Sequence, residues 1–336
     1  MDSYGKIMKK SSFNNHLSEA DLYGYSKWLA AHLGYSFIPR SLRGFQHGWI
    51  WWDPADANIQ QGMGLDPNLD SFWGVLTQSE KVSEELRRRG IYSQPCGLPF
   101  LNYYKHCGLQ GSFKHLRKGS ILYVPTHSNP WNNRSNDVED AACRFARHYP
   151  NSGVMLGWND RHMASRLSGI FESVEIGAGA LESESFLRML NIFERYDYMI
   201  TDTMGSHVCY GLACGMKVGV HYGLHCRSKD GKEYVQNIDY QKFKKSDDFD
   251  RQRHVYTPEY LDNKFPGIVI DSGIPNYSKM PSDIVYERPA VIASQLGWDM
   301  TYESELVKQK KADAEADMAR MQSVFSVKPA VAAMHA

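Results

Sequence analysis

The sequence contains no long apolar run and no N-terminal targeting pattern. No stretch of about 18 apolar residues occurs in the chain, so no membrane-spanning helix is predicted. The N-terminus, Met1–Gly5, has no charged start that leads into an apolar segment, and we expect no signal peptide. Both absences predict a cytoplasmic protein, and peripheral contact with the inner face of the membrane stays open as an alternative.

The sequence also has no excess of charge of either sign. Its 38 basic residues balance 38 acidic ones, whereas proteins dedicated to DNA or RNA carry a basic excess or a basic face. Nucleic acid is therefore not an expected partner. The six cysteines include no Cys-x-x-Cys pair, and we expect reduced thiols rather than a disulfide framework or a metal site.

From Ser120 onward, continuous apolar runs alternate with helical patterns. Such runs are typical of strands that are buried on both faces of a parallel sheet. The predicted strands are Ile121–Val124, Gly153–Leu156, Phe171–Ile176, Tyr198–Thr201 and Lys217–Val220. Because single helices separate these strands, right-handed crossovers and an open α/β sheet are predicted.

The remaining parts of the chain show weaker patterns. Before Ser120 we predict helices over 19–33 and 79–89, strands at Tyr35–Ile38 and Phe72–Thr77, and an extended, non-helical segment at Gln94–Phe100. A long helix is predicted over Tyr302–Val324. The predicted division is an N-terminal domain over residues 1–105, a second domain over 106–290 and a helical segment over 291–336.

The stretch Thr201–Gly215 has the strongest functional pattern. A buried strand ends at Thr201, Gly205 allows a tight turn, and Ser206 opens the next helix. Ligands of open α/β sheets bind at the carboxyl ends of the strands, and a helix N-terminus there offers unpaired N–H groups to a phosphate. The hydroxyls of Thr203 and Ser206 would add further donors.

The stretch Asp202–Lys217 resembles the donor-site strand, turn and helix in the second domain of GT-B glycosyltransferases, above all those of bacterial capsule and surface-polysaccharide assembly. The resemblance implies an α/β fold of two Rossmann-like domains that face a central cleft. It also implies a nucleotide-sugar donor whose phosphates and sugar face this turn. It assigns Asp202, Thr203, Met204, Gly205, Ser206 and His207 to the donor site.

The sequence departs from one common GT-B version at the start of this helix. Val208–Leu212 contains no acid, whereas that version has a glutamate that holds the ribose or sugar hydroxyls of the donor. The departure leaves the identity of the donor open, and it argues against the epimerases that share the fold.

The same resemblance assigns three further loops to the donor site, each at the end of a predicted strand. These loops contribute Thr126, His127, Ser128, Trp158, Glu175 and Ile176.

The segment Phe45–Asp53 combines a His-Gly pair with three tryptophans. Such a pair is shared with capsule transferases and with polyol-phosphate transferases. Inverting sugar transfer needs a base for the proton of the acceptor hydroxyl, and an imidazole suits this task. His47 is therefore the candidate base and Asp53 the fallback, although a retaining enzyme needs neither. The predicted acceptor site, with tryptophans as a wall for a sugar, comprises Gly48, Trp49, Trp51 and Trp52.

The predicted function is transfer of a sugar from a nucleotide-activated donor to a saccharide or glycoconjugate, in surface-polysaccharide or glycoconjugate biosynthesis. We expect no metal and no resident cofactor, because helix amides and hydroxyls would neutralise the leaving phosphate. The acidic run Asp247–Asp250 lies in a charged, loop-like stretch rather than at a strand end. Three alternatives remain: a sugar-nucleotide epimerase, a polyol-phosphate transferase and a non-catalytic nucleotide-binding scaffold subunit.

Overall fold

The computed structural model contains two β-sheets, and all paired strands within them are parallel. The structure describes residues 23–46, 48–49, 51, 74–109, 119–128, 135–177, 179, 182, 184–221, 258–304, 308, 312–313 and 315–316. Within these residues the α/β class with parallel sheets is confirmed.

The smaller sheet is formed by the N-terminal part of the chain. Its elements are α1 (Tyr25–Leu33), β1 (Gly44–Phe45), β2 (Val75–Thr77), α2 (Glu80–Arg88), β3 (Ser93–Pro95) and α3 (Pro99–His106). The three strands lie in the order β1-β2-β3, so their carboxyl ends share one edge of the sheet.

The larger sheet follows. Its elements are β4 (Ile121–Val124), α4 (Ser135–His148), β5 (Gly153–Leu156), a 3-10 helix (Trp158–Met163), α5 (Ala164–Leu167), β6 (Ser173–Ile176), α6 (Ser185–Phe193), β7 (Tyr198–Thr201), α7 (Ser206–Ala213), β8 (Lys217–His221), α8 (Pro258–Lys264) and β9 (Val269–Ile270). The strand order is β6-β5-β4-β7-β8-β9. The chain therefore builds outward from β4 to β6, returns to the other side of β4 at β7, and continues to β9. The order of the strands reverses between β4 and β7.

Two local predictions for the N-terminal part are wrong. Tyr35–Ile38 does not form a strand. The amide of Tyr35 donates to the carbonyl of Ala30 at 2.9 Å and closes α1, and the rings of Tyr35 and Phe37 pack against Tyr302, with centroids 4.7 and 5.0 Å away. Gln94–Phe100 is not wholly extended, since α3 begins at Pro99. Proline suits the first position of a helix, where its missing N–H group costs no hydrogen bond.

In the larger sheet the predicted strands are present, and β9 is an additional strand that the sequence analysis missed. Of the predicted helix Tyr302–Val324, residues 302–304 continue a helical stretch that begins at 298.

One apolar core spans both sheets. Phe100 of α3 packs on Tyr210 of α7, with ring centroids 4.3 Å apart, and the same cluster includes residues of both sheets. A second cluster covers the opposite face of the larger sheet, where Phe145 stacks on Tyr123 at 4.2 Å. Both faces of the larger sheet are thus covered, as its continuous apolar strands predict.

After β9 the chain returns to the smaller sheet. Three isolated antiparallel bridges mark the path: Val218 with Tyr277, Ser79 with Ile284, and Gly97 with Tyr286. Helix α9 (Pro289–Gln295) then contacts α1. Trp298 is fully buried there, and its indole N–H donates to Ser41 Oγ at 2.9 Å. In the part of the chain that the structure describes, we find no helix with the length and apolarity needed to cross a membrane.

Candidate functional site

The candidate site lies where the strand order of the larger sheet reverses. β4 and β7 are neighbours there, and their last residues, Val124 and Thr201, are paired in register. The loops that follow, residues 125–128 and 202–205, therefore leave the sheet side by side. They then diverge, because β4 leads to α4 and β7 leads to α7. Such a reversal opens a crevice at the carboxyl ends of the strands, where open α/β sheets bind their ligands.

Asp202 ties these two loops together. Its side chain is fully buried, and Oδ1 accepts hydrogen bonds from the amide and the hydroxyl of Thr126 at 2.6 and 2.8 Å. The hydroxyl of Tyr123 donates to Oδ2 at 3.2 Å. A carboxylate is stable in a protein interior only when donors surround it. We therefore revise the donor-site role predicted for Asp202 and Thr126, because the two residues bind each other and hold the loops in place.

A second buried carboxylate holds the end of the loop after β4. Asp160 belongs to the 3-10 helix, and its Oδ2 accepts from the amide of Ser128 at 2.7 Å. The carbonyl oxygen of Ser128 accepts from Asn159 Nδ2 at 3.1 Å and lies 2.9 Å from His127 Nδ1. Asp160 and Ser128 are buried, whereas His127 is exposed. Of the three residues predicted in this loop, His127 is the one whose side chain is open to solvent.

Gly205 directly precedes the first turn of α7 and has an extended backbone conformation. No side chain caps the helix there. The imidazole of His207 folds back over this residue, so that a Cβ atom on Gly205 would lie 2.8 Å from Nδ1. Among the described residues, the amides of Ser206 and His207 have no hydrogen-bond acceptor. Such amides carry the positive end of the helix dipole and attract anions. The side chain of Met204, by contrast, is buried in the apolar core.

His207 is a neutral imidazole at this helix end. Burial, and secondarily the nearby imidazole of His127, lowers the pKa of His207 from 6.5 to about 3. Its Nε2 lies 3.0 Å from Thr201 Oγ1, which also accepts from the amide of Thr203 at 3.2 Å. The positive end of a helix likewise disfavours an imidazolium. His207 therefore contributes its ring and a hydrogen bond near pH 7, but no charge.

The loop after β1 reaches across to this turn from the smaller sheet. The amide of Trp49 donates to Ser206 Oγ at 2.7 Å, and the indole N–H of Trp51 donates to Gly205 O at 3.1 Å. Gly48 lies against Ser206 with a positive φ of 83°, and a Cβ atom there would be 3.6 Å from Ser206 Oγ. The structure thus brings together the two segments that the sequence analysis assigned to acceptor and donor.

Trp49 and Trp51 of this loop are core residues. Trp49 and Trp51 are only 7% and 5% exposed, and the ring of Trp51 meets Phe265 edge-on at 5.1 Å. Neither indole offers an open face, so we revise their predicted role as a wall for a sugar. The candidate residues His47, Trp52 and Asp53 lie outside the described residues.

Two glutamines that the sequence analysis missed hold the loop after β1. Gln46 Nε2 donates to Gly48 O at 3.2 Å, and Gln46 Oε1 accepts from the amide of Gln78 at 3.3 Å. The side-chain amide of Gln78 in turn donates to Gln46 O at 3.2 Å. Both glutamines are buried and directly follow a strand. Their position after β1 and β2 is the signal that could have pointed to them.

The remaining predicted residues lie farther along the edge of the sheet. Trp158 is 37% exposed, and the guanidinium groups of Arg161 and Arg188 lie 4.5 and 5.7 Å from its ring centroid. Glu175 forms an ion pair with Arg195 at 2.8 Å, and Ile176 packs against the second core cluster. Trp158 keeps an accessible ring, whereas the carboxylate of Glu175 is engaged by its own protein and Ile176 has a packing role.

The described residues include no group of three or more His, Cys, Asp or Glu side chains arranged to hold a metal ion. A comparison of the chain with protein-family models found no matching family, and a comparison with curated proteins found no significant match.

Proposed function

We propose that this protein is a glycosyltransferase that moves a sugar from a nucleotide-activated donor to a saccharide or glycoconjugate acceptor. In this proposal the two sheets belong to two Rossmann-like domains, over residues 1–105 and 106–290, that face a central cleft in the GT-B manner. A helical segment over residues 291–336 is kept as the predicted C-terminal part. The larger domain holds the donor and the smaller one presents the acceptor.

The observation that carries the proposal is the first turn of α7. The amides of Ser206 and His207 are free of acceptors among the described residues, and they lie beside the reversal of strand order. Sugar transfer from a nucleotide releases a phosphate, whose charge grows as the glycosidic bond breaks. Preorganised amides at a helix N-terminus stabilise that charge without reorganisation.

The contact between the two segments supports a site for two substrates. A leaving group at α7 lies next to the loop after β1, because Trp49 and Trp51 bind Ser206 and Gly205 directly. An acceptor held by that loop would thus be adjacent to the donor sugar. His47 and Asp53 remain the proposed bases for the acceptor hydroxyl.

The first test is a thermal-shift screen of the full chain with UDP, GDP, CMP, CDP and dTDP. A ligand that binds only the folded state raises the melting temperature. At a ligand concentration of 100 times Kd, it adds about 2.7 kcal/mol to the free energy of unfolding. The matching nucleotide sugar is then supplied with candidate acceptors, and products are identified by mass spectrometry. Conversion without an acceptor would identify an epimerase, and nucleoside monophosphate released from a polyol donor would identify a polyol-phosphate transferase.

A matched pair of variants then tests the role of α7. Ser206→Asp adds a negative charge where Ser206→Asn does not, and both side chains keep an oxygen that can accept from Trp49. An acid in the first turn is favourable for a helix, so both variants should fold. We expect Ser206→Asp to bind the selected nucleotide at least about tenfold more weakly than Ser206→Asn, because like charges repel. Equal affinities would place the phosphates elsewhere, and binding without turnover would favour the scaffold alternative.

A further inference from the structure

Two buried carboxylates bracket His127 from opposite sides. Asp202 accepts from the amide of Thr126 at 2.6 Å, and Asp160 accepts from the amide of Ser128 at 2.7 Å. Both carboxylates are 0% exposed. Asp202 comes from the loop after β7 and Asp160 from the 3-10 helix that follows β5; β7 and β5 are the two neighbours of β4. The backbone on each side of His127 is therefore fixed, while its side chain is exposed.

The hydrogen bond of His127 also fixes which ring nitrogen carries the proton. Nδ1 lies 2.9 Å from Ser128 O, and a carbonyl oxygen can only accept, so Nδ1 is the protonated nitrogen of the neutral ring. Asn159 Nδ2 donates to the same oxygen at 3.1 Å and holds it in place. The neutral ring thus has a lone pair on Nε2, which has no partner among the described residues.

We propose that His127 is a catalytic residue that binds the leaving phosphate through Nε2, and that Asp160 and Asp202 are positioning residues for it. This inference rests on the proposed sugar transfer. A bare lone pair repels a phosphate oxygen, so His127 takes up a proton when the nucleotide binds. During transfer the bond from the anomeric carbon to the phosphate oxygen breaks, and its electron pair stays on that oxygen, where the Nε2–H group donates to it. The sugar bonds to the acceptor oxygen, and the acceptor proton goes to the separate base.

The groups that pack around His127 permit this proton uptake. From α7, the imidazole of His207 interacts with that of His127, and it stays neutral because burial, with His127 itself, lowers its pKa to about 3. From the 3-10 helix after β5 and the loop after β7, the carboxylates of Asp160 and Asp202 face the two amides that flank His127. Gly157 packs against the ring, and a Cβ atom on it would lie 2.5 Å from His127 Cβ. Among the described residues, His207 therefore adds no positive charge that would oppose the one on His127.

The first experiment reads the tautomer directly and needs no substrate. In long-range ¹H–¹⁵N spectra of the full chain, assigned through His127→Gln, Nδ1 of His127 should show the shift of a protonated nitrogen and Nε2 that of an unprotonated one. Asp160→Asn and Asp202→Asn should weaken this preference. Asp197→Asn is the matched control, because Asp197 accepts from the amide of Gly119 just before β4, at the opposite end of the same strand. A protonated Nε2 in the neutral ring, or equal spectra in all three Asn variants, would refute the positioning of His127 by Asp160 and Asp202.

The second experiment measures proton uptake by calorimetry, with the selected nucleotide in buffers of different ionisation enthalpy. The wild type should take up protons on binding, and His127→Gln should lose both this uptake and about tenfold in affinity, the expected share of one charge-assisted hydrogen bond. His162→Gln is the control, since His162 Nδ1 also lies near a backbone carbonyl, Asn159 O, at 3.2 Å. Unchanged uptake in His127→Gln would refute the role of His127. A wild type that binds no nucleotide would instead refute the proposed function. The tautomer of His127 would still show whether Asp160 and Asp202 position its ring.

Discussion

The backbone amide of Trp49 donates to the hydroxyl oxygen of Ser206 at 2.7 Å, across a separation of 157 residues. This bond joins the loop after β1 to the first turn of α7. A second bond, from the indole of Trp51 to Gly205 O, lies beside it. The two sheets therefore meet at the candidate site through specific hydrogen bonds as well as through the shared apolar core.

Trp51→Phe should weaken this connection. The substitution keeps an aromatic ring but removes the indole N–H group, so Gly205 O loses one of its donors, while the amide of Val208 still donates to it at 3.1 Å. Loss of one such bond costs about 1 kcal/mol of unfolding free energy. Trp49→Phe is the matched control, because the bond from residue 49 to Ser206 comes from the backbone. Urea unfolding should show a larger loss for Trp51→Phe than for Trp49→Phe, and equal losses would contradict the assigned role of the indole.

Gly205→Ala should destabilise the protein through a clash with one side chain. A Cβ atom at this position would lie 2.8 Å from His207 Nδ1, and overpacking of this kind costs about 1–3 kcal/mol. The penalty should be smaller in a His207→Ala background, because the ring that clashes is gone. A double-mutant cycle of unfolding free energies measures this coupling. Additive effects on the unfolding free energy would show that the His207 ring does not clash with a Cβ atom at residue 205.

The stability of the protein should depend on pH through His207. Burial, with His127 nearby, lowers the folded-state pKa to about 3, against 6.5 for the ordinary group. At pH values between these two pKa values, His207 is therefore protonated in the unfolded chain and neutral in the folded protein. Stability from His207 is fully present above pH 6.5 and is lost as the pH falls toward 3, by at most about 1.4 kcal/mol per pH unit.

Denaturant unfolding across this pH range, compared between the wild type and His207→Gln, isolates the contribution of His207. The variant should lose less stability on acidification than the wild type. His162→Gln, which changes an exposed ring, should follow the wild type. Parallel curves for the wild type and His207→Gln would contradict the lowered pKa.

Gly48→Ala should separate backbone strain from an effect on the site. Gly48 and Gly34 both have a positive φ, of 83° and 79°, and both have room for a methyl group. Each alanine variant should therefore lose about 1 kcal/mol of stability, as a residue with a Cβ atom resists this conformation. Gly48 alone lies against Ser206. We expect sugar transfer to fall in Gly48→Ala and to be kept in Gly34→Ala; equal rates would argue against a catalytic role for this loop.

The strands of the larger sheet could be predicted because their environment leaves a local signal. Ile121–Val124 and Tyr198–Thr201 are continuous apolar runs, as strands covered on both faces must be. Short strands such as β1 and β9, with two residues each, give no comparable pattern. Their pairing depends on neighbours that are distant in the sequence.

The roles of individual polar residues were harder to predict. Asp202 follows a strand in a turn rich in hydroxyl groups, a composition that fits a ligand site as well as a structural carboxylate. What decides between them is Thr126, which lies 76 positions away. The same holds for Trp49 and Trp51, since an aromatic cluster can line a cleft or fill a core. Sequence patterns locate such segments at the edge of the sheet, but only packing assigns each side chain.

The return of the chain to the smaller sheet after β9 has a consequence for biosynthesis. Trp298 fills the space beside Ser41, 257 positions earlier in the chain, and Leu42 donates to the carbonyl of Leu296. The ribosome makes all of the larger sheet between these partners. The smaller sheet is thus synthesised before the larger one. Leu296 and Trp298, which complete its packing, are synthesised only after β9.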